Sequence, residues 1–277
     1  MGEKAKVDMP YMMQLTSKTE EEVFADLSGV IFRNPLYEEN GTQAKYLTAD
    51  EYLSGNVREK LAVARRLAES EPVFAANVTA LEEVQPTDLT ASEISVRLGA
   101  TWLPEDVVQE FMYQLLDTPY YAQWKVKVHY SRYTGGWNVE GKSYDRSNIN
   151  AISTYGTDRV NAYKIIEDTL NLRDVRVFDY VEDENGKRVP ILNKKETAIA
   201  QGKQELIKQA FQDWIWKDQP RRERLCKLYN EQFNALRPRE YDGTHLKFVG
   251  MNPEIQLRQH QLNAVAHILY GGNTLLA

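Results

Sequence analysis

The hydrophobic pattern of this chain changes its period at Pro119, and that change most narrows the folds open to it. Before Pro119, apolar residues recur at three- and four-residue spacing, which is typical of amphipathic helices. After it, the residues from Trp124 to Tyr130 alternate between apolar and polar, which is typical of a half-buried strand. The predicted fold class is therefore α+β, mainly helical, with two small β-hairpins or a small antiparallel sheet.

Helix-capping motifs divide the region 1–118 into several helices. Thr19-Glu-Glu-Glu22 is a capping box, in which the hydroxyl and the last carboxylate satisfy amides of the first turn, and it predicts a helix to about Ile31. Thr48 begins a second motif of this kind. Asn56 is typical of the cap of a longer helix. The first region is thus predicted to be mainly helical.

Two turn signals mark the predicted hairpins. Gly135-Gly136 can turn the first strand into a second, and Asp183-Glu-Asn-Gly186 lies between the short apolar runs 175–177 and 188–191. Helical spacing then resumes from Lys194. We divide the sequence into a helical region at 1–118, a hairpin-containing α+β region at 119–193 and a helical region at 194–277.

Composition excludes several kinds of protein and site. The net charge is -6 and the isoelectric point about 5.4, so any contact with nucleic acid must be local. The single Cys226 cannot form an internal disulfide, and four scattered histidines offer no spacing that would hold a metal. The sequence lacks an apolar run of membrane-spanning length and an export signal, so a cytoplasmic location and no membrane partner are expected.

Two clusters of cations are candidates for local DNA contact. The first lies on the polar face of the predicted hairpin, where neighbouring aromatic residues suit base stacking. The second follows Pro220. A solvated face balanced by acids, or an edge strand protected by lysines, would show the same pattern. The candidate DNA-binding residues are Lys125, Lys127, Arg132, Arg221 and Arg222.

The segment near the C-terminus carries the most informative motif. Leu257-Arg258-x-x-Gln261 resembles the entry helix of Swi/Snf-like superfamily-two helicases, whose glutamine lies just before the ATPase and holds adenine. A glutamine amide can accept from the adenine N6 amine and donate to N7. The resemblance implies Arg258 and Gln261 as nucleotide-binding residues. It also implies that the chain ends in the entry helix of a RecA-like ATPase core, shortly before the phosphate loop.

Longer runs of the chain resemble a family of very large proteins from conjugative elements and phages. These proteins join an adenine-N6 DNA methyltransferase region to a Swi/Snf-like helicase. The resemblance implies ATP with magnesium in the parent helicase and S-adenosylmethionine only in the parent methyltransferase region. It implies DNA and the remaining methyltransferase and helicase domains as partners. The runs are 52–61, 94–102, 167–172, 192–197, 237–241 and 250–277.

The sequence departs from that family's catalytic pattern. Asn34-Pro-Leu-Tyr37 lacks the second proline of the methyltransferase motif. We also expect the phosphate loop, the acidic pair that handles magnesium and the arginine fingers to be absent, so no catalytic residue is predicted. The predicted function is a non-catalytic coupling and DNA-contacting segment of a DNA helicase-methyltransferase, truncated before the phosphate loop of the ATPase. The chain alone is not expected to be an enzyme.

Two other functions stay open. The chain could be a stand-alone protein-interaction module, a helicase-derived decoy or inhibitor that binds through an acidic helical surface, although the apolar end 275–277 suits truncation. It could also be a hydrolase that uses the paired acids Glu167-Asp168 or Asp183-Glu184. Adjacent acids on a helix point apart and those in a turn are usually solvated, which argues against the hydrolase.

Overall fold

In the computed structural model of the protein, residues 7–38, 42–182, 187–252, 254–271 and 274 are described. The chain forms two compact units. Met1–Asp88 and Asn230–Ala277 form one, here named the terminal unit, and Leu89–Tyr229 form the other, here named the central unit. The predicted region boundaries at 118 and 193 do not coincide with the boundaries of these two units, at 88 and 229. The three-region division stays a prediction.

The secondary structure confirms the α+β class, since nearly half of the chain is helical and each sheet has two antiparallel strands. The RecA-like end stays a prediction. In chain order the elements are α1 (Met9–Thr16), α2 (Glu20–Asp26), β1 (Ile31–Arg33), β2 (Tyr46–Thr48), α3 (Ala49–Tyr52), β3 (Gly55–Asn56), α4 (Val57–Ala68), a 3-10 turn (Pro72–Phe74), α5 (Ala75–Glu83), α6 (Glu105–Leu116), α7 (Tyr120–Gln123), β4 (Lys127–Ser131), β5 (Gly136–Glu140), a π-helical turn (Asn150–Thr154), α8 (Ala162–Leu170), β6 (Phe178–Glu182), β7 (Arg188–Leu192), α9 (Lys194–Ile215), α10 (Gln219–Phe233), β8 (Leu236–Arg237) and α11 (Gln259–Gly271).

The core of the central unit lies between the β4–β5 hairpin and the helices α6, α8 and α9. The hairpin forms as predicted, and Val128 and Val139 face each other across it. Both side chains are buried in the same cluster as Phe111 and Phe211, whose rings meet edge to face with centroids 5.1 Å apart. The period-two pattern thus predicted the burial of Val126 and Val128 correctly, but Trp124 of the same pattern is exposed.

The second predicted hairpin is present, but its first strand begins later than expected. Val175 and Val177 are buried in the core, and β6 starts only at Phe178. The reason is that both valines pack against α9, where the Val177 amide donates to the Thr197 hydroxyl at 3.0 Å. The predicted turn at 183–186 lies outside the described residues.

The terminal unit confirms the Thr19 capping box but not the length of the helix that follows it. α2 ends at Asp26, and Gly29 adopts a φ of +80°, which breaks the helix. Ile31 instead starts β1 and pairs with Thr48 of β2, so the predicted helix to Ile31 is wrong. The Asn56 cap is confirmed, because its side chain accepts from an amide in the first turn of α4.

Candidate nucleic-acid interface

The first candidate cations lie along the β4–β5 hairpin. Lys125 is exposed just before β4, and Arg132 is exposed in the turn after it. Within the described part of the chain, neither side chain forms an ion pair; the Lys125 ammonium lies 5.9 Å from the centre of the Tyr144 ring. Lys127 is half-buried and lies directly opposite Glu140. The uncompensated charge is therefore at the two ends of the hairpin.

Acidic side chains lie close to the middle of this hairpin. The His129 ring nitrogens lie 3.7 Å from a Glu105 carboxylate oxygen and 3.8 Å from one of Glu140. Glu105 also accepts a hydrogen bond of 2.9 Å from the Tyr130 amide. This carboxylate comes from α6, so the alternating pattern of the strand alone could not have revealed it.

Four exposed aromatic side chains come from two segments, 120–124 and the turn at Tyr144, that meet at Lys125, and sequence reasoning missed them as a group. Tyr120, Tyr121 and Trp124 are 73%, 65% and 67% exposed, and Tyr144 is 58% exposed. We name these four residues the aromatic platform. Trp124 was predicted to lie in the alternating strand; it lies outside β4 because residues 120–123 form α7. The available signal was a Tyr-Tyr pair after Pro119 with a tryptophan four residues beyond the first tyrosine.

A buried hydrogen-bond network holds both parts of the platform. The Tyr163 hydroxyl lies 2.9 Å from the Thr118 hydroxyl and 2.7 Å from a carboxylate oxygen of Asp145. Thr118 comes two residues before α7, and Asp145 comes directly after Tyr144. Asp145 also accepts from the Asn148 amide at 2.6 Å. Burial raises the pKa of Tyr163, so this phenol stays protonated and can donate.

Gly141 brings the chain near Tyr144 against Lys125. Its φ is +66°, and a Cβ placed there would lie 2.2 Å from the carbonyl oxygen of Lys125. The Tyr144 amide then donates to the Gly141 carbonyl at 2.9 Å and closes the turn. Only glycine permits both this backbone conformation and this close approach.

The second group of candidate cations, Arg221 and Arg222, has internal partners. Arg221 is 7% exposed; it donates to the carbonyls of Ile215 at 3.1 Å and Trp214 at 2.8 Å. Its guanidinium carbon lies 3.5 Å from the centre of the Trp214 ring. Arg222 is half-buried and donates to the Trp216 carbonyl at 3.1 Å. Both arginines thus satisfy carbonyls at the end of α9. DNA contact through them stays a prediction, and the Arg221 guanidinium is buried.

The predicted nucleotide-binding pair lies at the start of α11. Gln261 accepts a hydrogen bond of 2.9 Å from the Arg258 amide through Oε1, which is the glutamine half of a capping box. That oxygen would be the acceptor for the adenine amine, so this arrangement does not fit adenine. A cavity of about 810 Å³ in the same unit is lined by His260, Asn263 and His267 rather than by the pair. Nucleotide binding by Arg258 and Gln261 stays a prediction.

A phosphate-loop pattern does occur in the sequence, contrary to our expectation. Residues 136–143 read Gly-Trp-Asn-Val-Glu-Gly-Lys-Ser. In the structure, residues 136–140 form strand β5 with Trp137 and Val139 buried, and the chain turns after Ser143 instead of entering a helix. Lys142 pairs with Glu167, which also accepts from the Val139 amide at 2.8 Å. The pattern therefore lacks the loop geometry that cradles phosphate.

This geometry leads us to expect no ATP hydrolysis by residues 1–277. Phosphoryl transfer needs a phosphate cradle, magnesium ligands and a positioned nucleophile, and the Lys142 ammonium is held by Glu167. Phosphate release should stay at the buffer level with and without DNA. Release that DNA stimulates and that Lys142→Ala abolishes would contradict this expectation.

The paired acids considered for a hydrolase serve as structural partners. Lys142 holds the pKa of Glu167 below its usual value although burial opposes ionisation, and Asp168 pairs with Lys164 at 2.8 Å. The other pair, at 183–184, lies outside the described residues. Among the residues that the structure describes, no group of three or more His, Cys, Asp or Glu could hold a metal, and no helix is long and apolar enough to cross a membrane.

The N-terminal segment of the terminal unit has two short helices and a hairpin, α1, α2 and β1–β2, and its surface is acidic. Helix α2 carries Glu20, Glu21, Glu22 and Asp26 and no cation. The flanking lysines are engaged, Lys18 with Asp26 and Lys45 with Glu20. In the hairpin loop, the Asn34 amide donates to the Ala44 carbonyl at 2.9 Å and accepts from the Leu36 amide. Asn34, the first residue of the segment that partly matches the methyltransferase motif, thus closes a loop.

Two known families match parts of this chain. Residues 97–235, just over half of it, match the family described as "Domain of unknown function (DUF8437)". The chain belongs to this family. Residues 1–45 match the family described as "Probable helicase, winged helix domain". No curated protein and no solved structure matches the chain.

The DUF8437 match contains the aromatic platform and every candidate DNA-binding residue. It runs from Arg97, ahead of α6, to Ala235, after α10. The winged-helix match covers α1, α2 and β1 of the acidic N-terminal segment. The two matches therefore cover different parts of the chain.

Proposed function

We propose that this chain is a non-catalytic, DNA-contacting region of a DNA helicase, and that its DUF8437 region makes the contact through Lys125, Lys127 and Arg132. The winged-helix match supports the helicase part of the proposal. The observation that carries the DNA contact is the exposure of Lys125 and Arg132, without an ion pair among the described residues, in a chain of net charge -6. Cations left unpaired on an acidic protein can approach phosphate locally.

The charge of α2 is the reason for placing the contact in the central unit. In helix-turn-helix proteins the second helix enters the major groove and reads base edges. The exposed Glu21 and Glu22 on α2 would instead repel phosphates. The winged-helix segment thus supports the helicase relationship without supplying the DNA contact.

The proposal has wider parts that rest on the resemblance alone. These are a parent protein that joins this region to a motor and an adenine-N6 DNA methyltransferase, ATP with magnesium in the motor, and S-adenosylmethionine in the methyltransferase. Contact of adenine with Arg258 and Gln261 belongs to these parts, and it requires the Gln261 carbonyl to leave the Arg258 amide.

A protein-interaction module is the second candidate function, and the β6–β7 hairpin favours it. Val181, Val189 and Ile191 lie on one face of this hairpin and are 51%, 40% and 53% exposed. Apolar side chains grouped on an exposed hairpin are typical of binding surfaces. A Val181→Asp substitution that abolishes binding of a protein partner and leaves DNA binding unchanged would support this function.

The proposed DNA contact is tested by salt-dependent binding. Replacing Lys125, Lys127 and Arg132 together by Ala should weaken binding and lower the slope of log K against log[salt] by about 1 for each phosphate contact removed. Fluorescence anisotropy with a labelled oligonucleotide, measured at several salt concentrations, gives both quantities.

A matched control changes the charge equally at another surface. Arg188, Lys194 and Lys195 are exposed on β7 and at the start of α9. Their triple Ala variant has the same net charge as the test variant and should bind DNA with the same slope as the natural chain. Equal weakening in both variants would mean that net charge, and not this hairpin, governs binding.

A further inference from the structure

We propose that the aromatic platform binds the unpaired bases of single-stranded DNA. The inference rests on the proposed DNA contact and names the form of DNA that this surface takes. Four aromatic side chains that are each more than half exposed come from two segments that meet at Lys125, whose ammonium lies 5.9 Å from the centre of the Tyr144 ring. Such exposure is unfavourable for apolar rings unless a partner covers them.

The ring geometry suits stacking. Tyr120 and Trp124 meet edge to face, with centroids 5.8 Å apart and planes at 90°. This contact leaves at least one face of each ring open to a base, and any base can stack because every base has a π-face. In a duplex the base faces are already stacked on one another, so only an unpaired strand can use the rings.

Charge around the platform complements a nucleic-acid backbone. Lys125 lies beside Tyr144, and Arg146 is exposed two residues after it. The nearby Asp145 is 1% exposed and turned into the buried network with Tyr163. A phosphate between stacked bases would therefore meet cations at this surface. This charge favours DNA over an apolar protein partner as the occupant.

The platform is held in place before any strand binds. Ala122 and Val126 are fully buried and anchor the inner side of the segment that carries Tyr120, Tyr121 and Trp124. The Tyr113 hydroxyl lies 3.0 Å from the Gln123 carbonyl and 2.5 Å from that of Val126. Rings held on a fixed backbone lose little conformational entropy on binding.

The test compares labelled oligothymidine with a DNA hairpin of equal length, by anisotropy at low salt, using the full chain. The single strand should bind more tightly. Trp124→Ala should weaken single-strand binding roughly five- to a hundredfold, because an aromatic residue that stacks on a base contributes about that factor. Hairpin binding should change little. Trp124→Phe should keep most of the affinity, since a ring remains.

The control is Tyr180→Ala, which removes an equally exposed ring from β6. It should leave both affinities unchanged, and thermal unfolding should show that all variants are folded. One result would overturn the proposal that the platform binds bases and leave the proposed function standing. In it, Trp124→Ala and Tyr144→Ala leave single-strand binding unchanged, and the triple Ala variant of Lys125, Lys127 and Arg132 weakens it. Absence of binding to either DNA would overturn the proposed function itself.

Discussion

Replacing Arg221 by Ala is expected to lower the free energy of unfolding of the central unit by roughly 3–5 kcal/mol, because each hydrogen bond from a buried charged group contributes about 1.5–3 kcal/mol. Two such bonds run to the carbonyls of Trp214 and Ile215 at the end of α9. The stacked guanidinium also covers the Trp214 ring. Urea unfolding followed by circular dichroism measures the change.

Arg222→Ala is the matched control, because it removes the same charge from the neighbouring position. Arg222 is half-buried and makes one hydrogen bond, to the Trp216 carbonyl. Its loss should cost about 1 kcal/mol. If both variants are equally stable and only Arg221→Ala loses DNA binding, the internal role is wrong and Arg221 is a DNA contact.

Replacing Gly141 by Ala should destabilise the central unit by roughly 2–5 kcal/mol, from the strain of a positive φ and a clash with backbone. The added Cβ would lie 2.2 Å from the Lys125 carbonyl oxygen. Because that approach places Tyr144 beside Lys125, the variant should also bind single-stranded DNA less tightly. Urea unfolding and anisotropy measure the two effects.

Gly135→Ala is the control that separates the backbone strain of a positive φ from the steric clash at Gly141. Gly135 has a φ of +64°, close to that of Gly141, but no atom lies within 4 Å of its added Cβ. The expected cost is about 1–2 kcal/mol, from backbone strain alone. Equal costs at the two glycines would mean that the close approach at Lys125 does not constrain the turn.

Local pattern predicted those parts of the fold that depend on local interactions. The Thr19 and Asn56 caps and the β4–β5 hairpin follow from hydrogen bonds and alternation within a few residues, and all three are confirmed. The motif predicted at Thr48 is wrong in one respect, because its side chain makes no cap hydrogen bond to α3. The end of α2 and the start of β6 could not be predicted in this way. Ile31 and Val177 belong to apolar runs whose burial is decided by distant partners.

The candidate site was less predictable, because tertiary contacts decide which charges are free. The sequence predicted the cations on the β4–β5 hairpin. It did not predict that α6 brings Glu105 to within 3.7 Å of His129 on that hairpin. It also gave no sign that Arg221 is buried. Helix α7 is only four residues long, too short to show a hydrophobic period, so its exposed rings were not recognised.

Photo-crosslinking tests the central claim most directly. A single strand carrying 5-bromodeoxyuridine is irradiated with the full chain, and the crosslinked peptides are identified by mass spectrometry. If the DUF8437 region makes the DNA contact through the hairpin and the platform, crosslinks should map to 120–132 and to Tyr144. Crosslinks confined to the winged-helix match at 1–45, or to α11, would contradict the account.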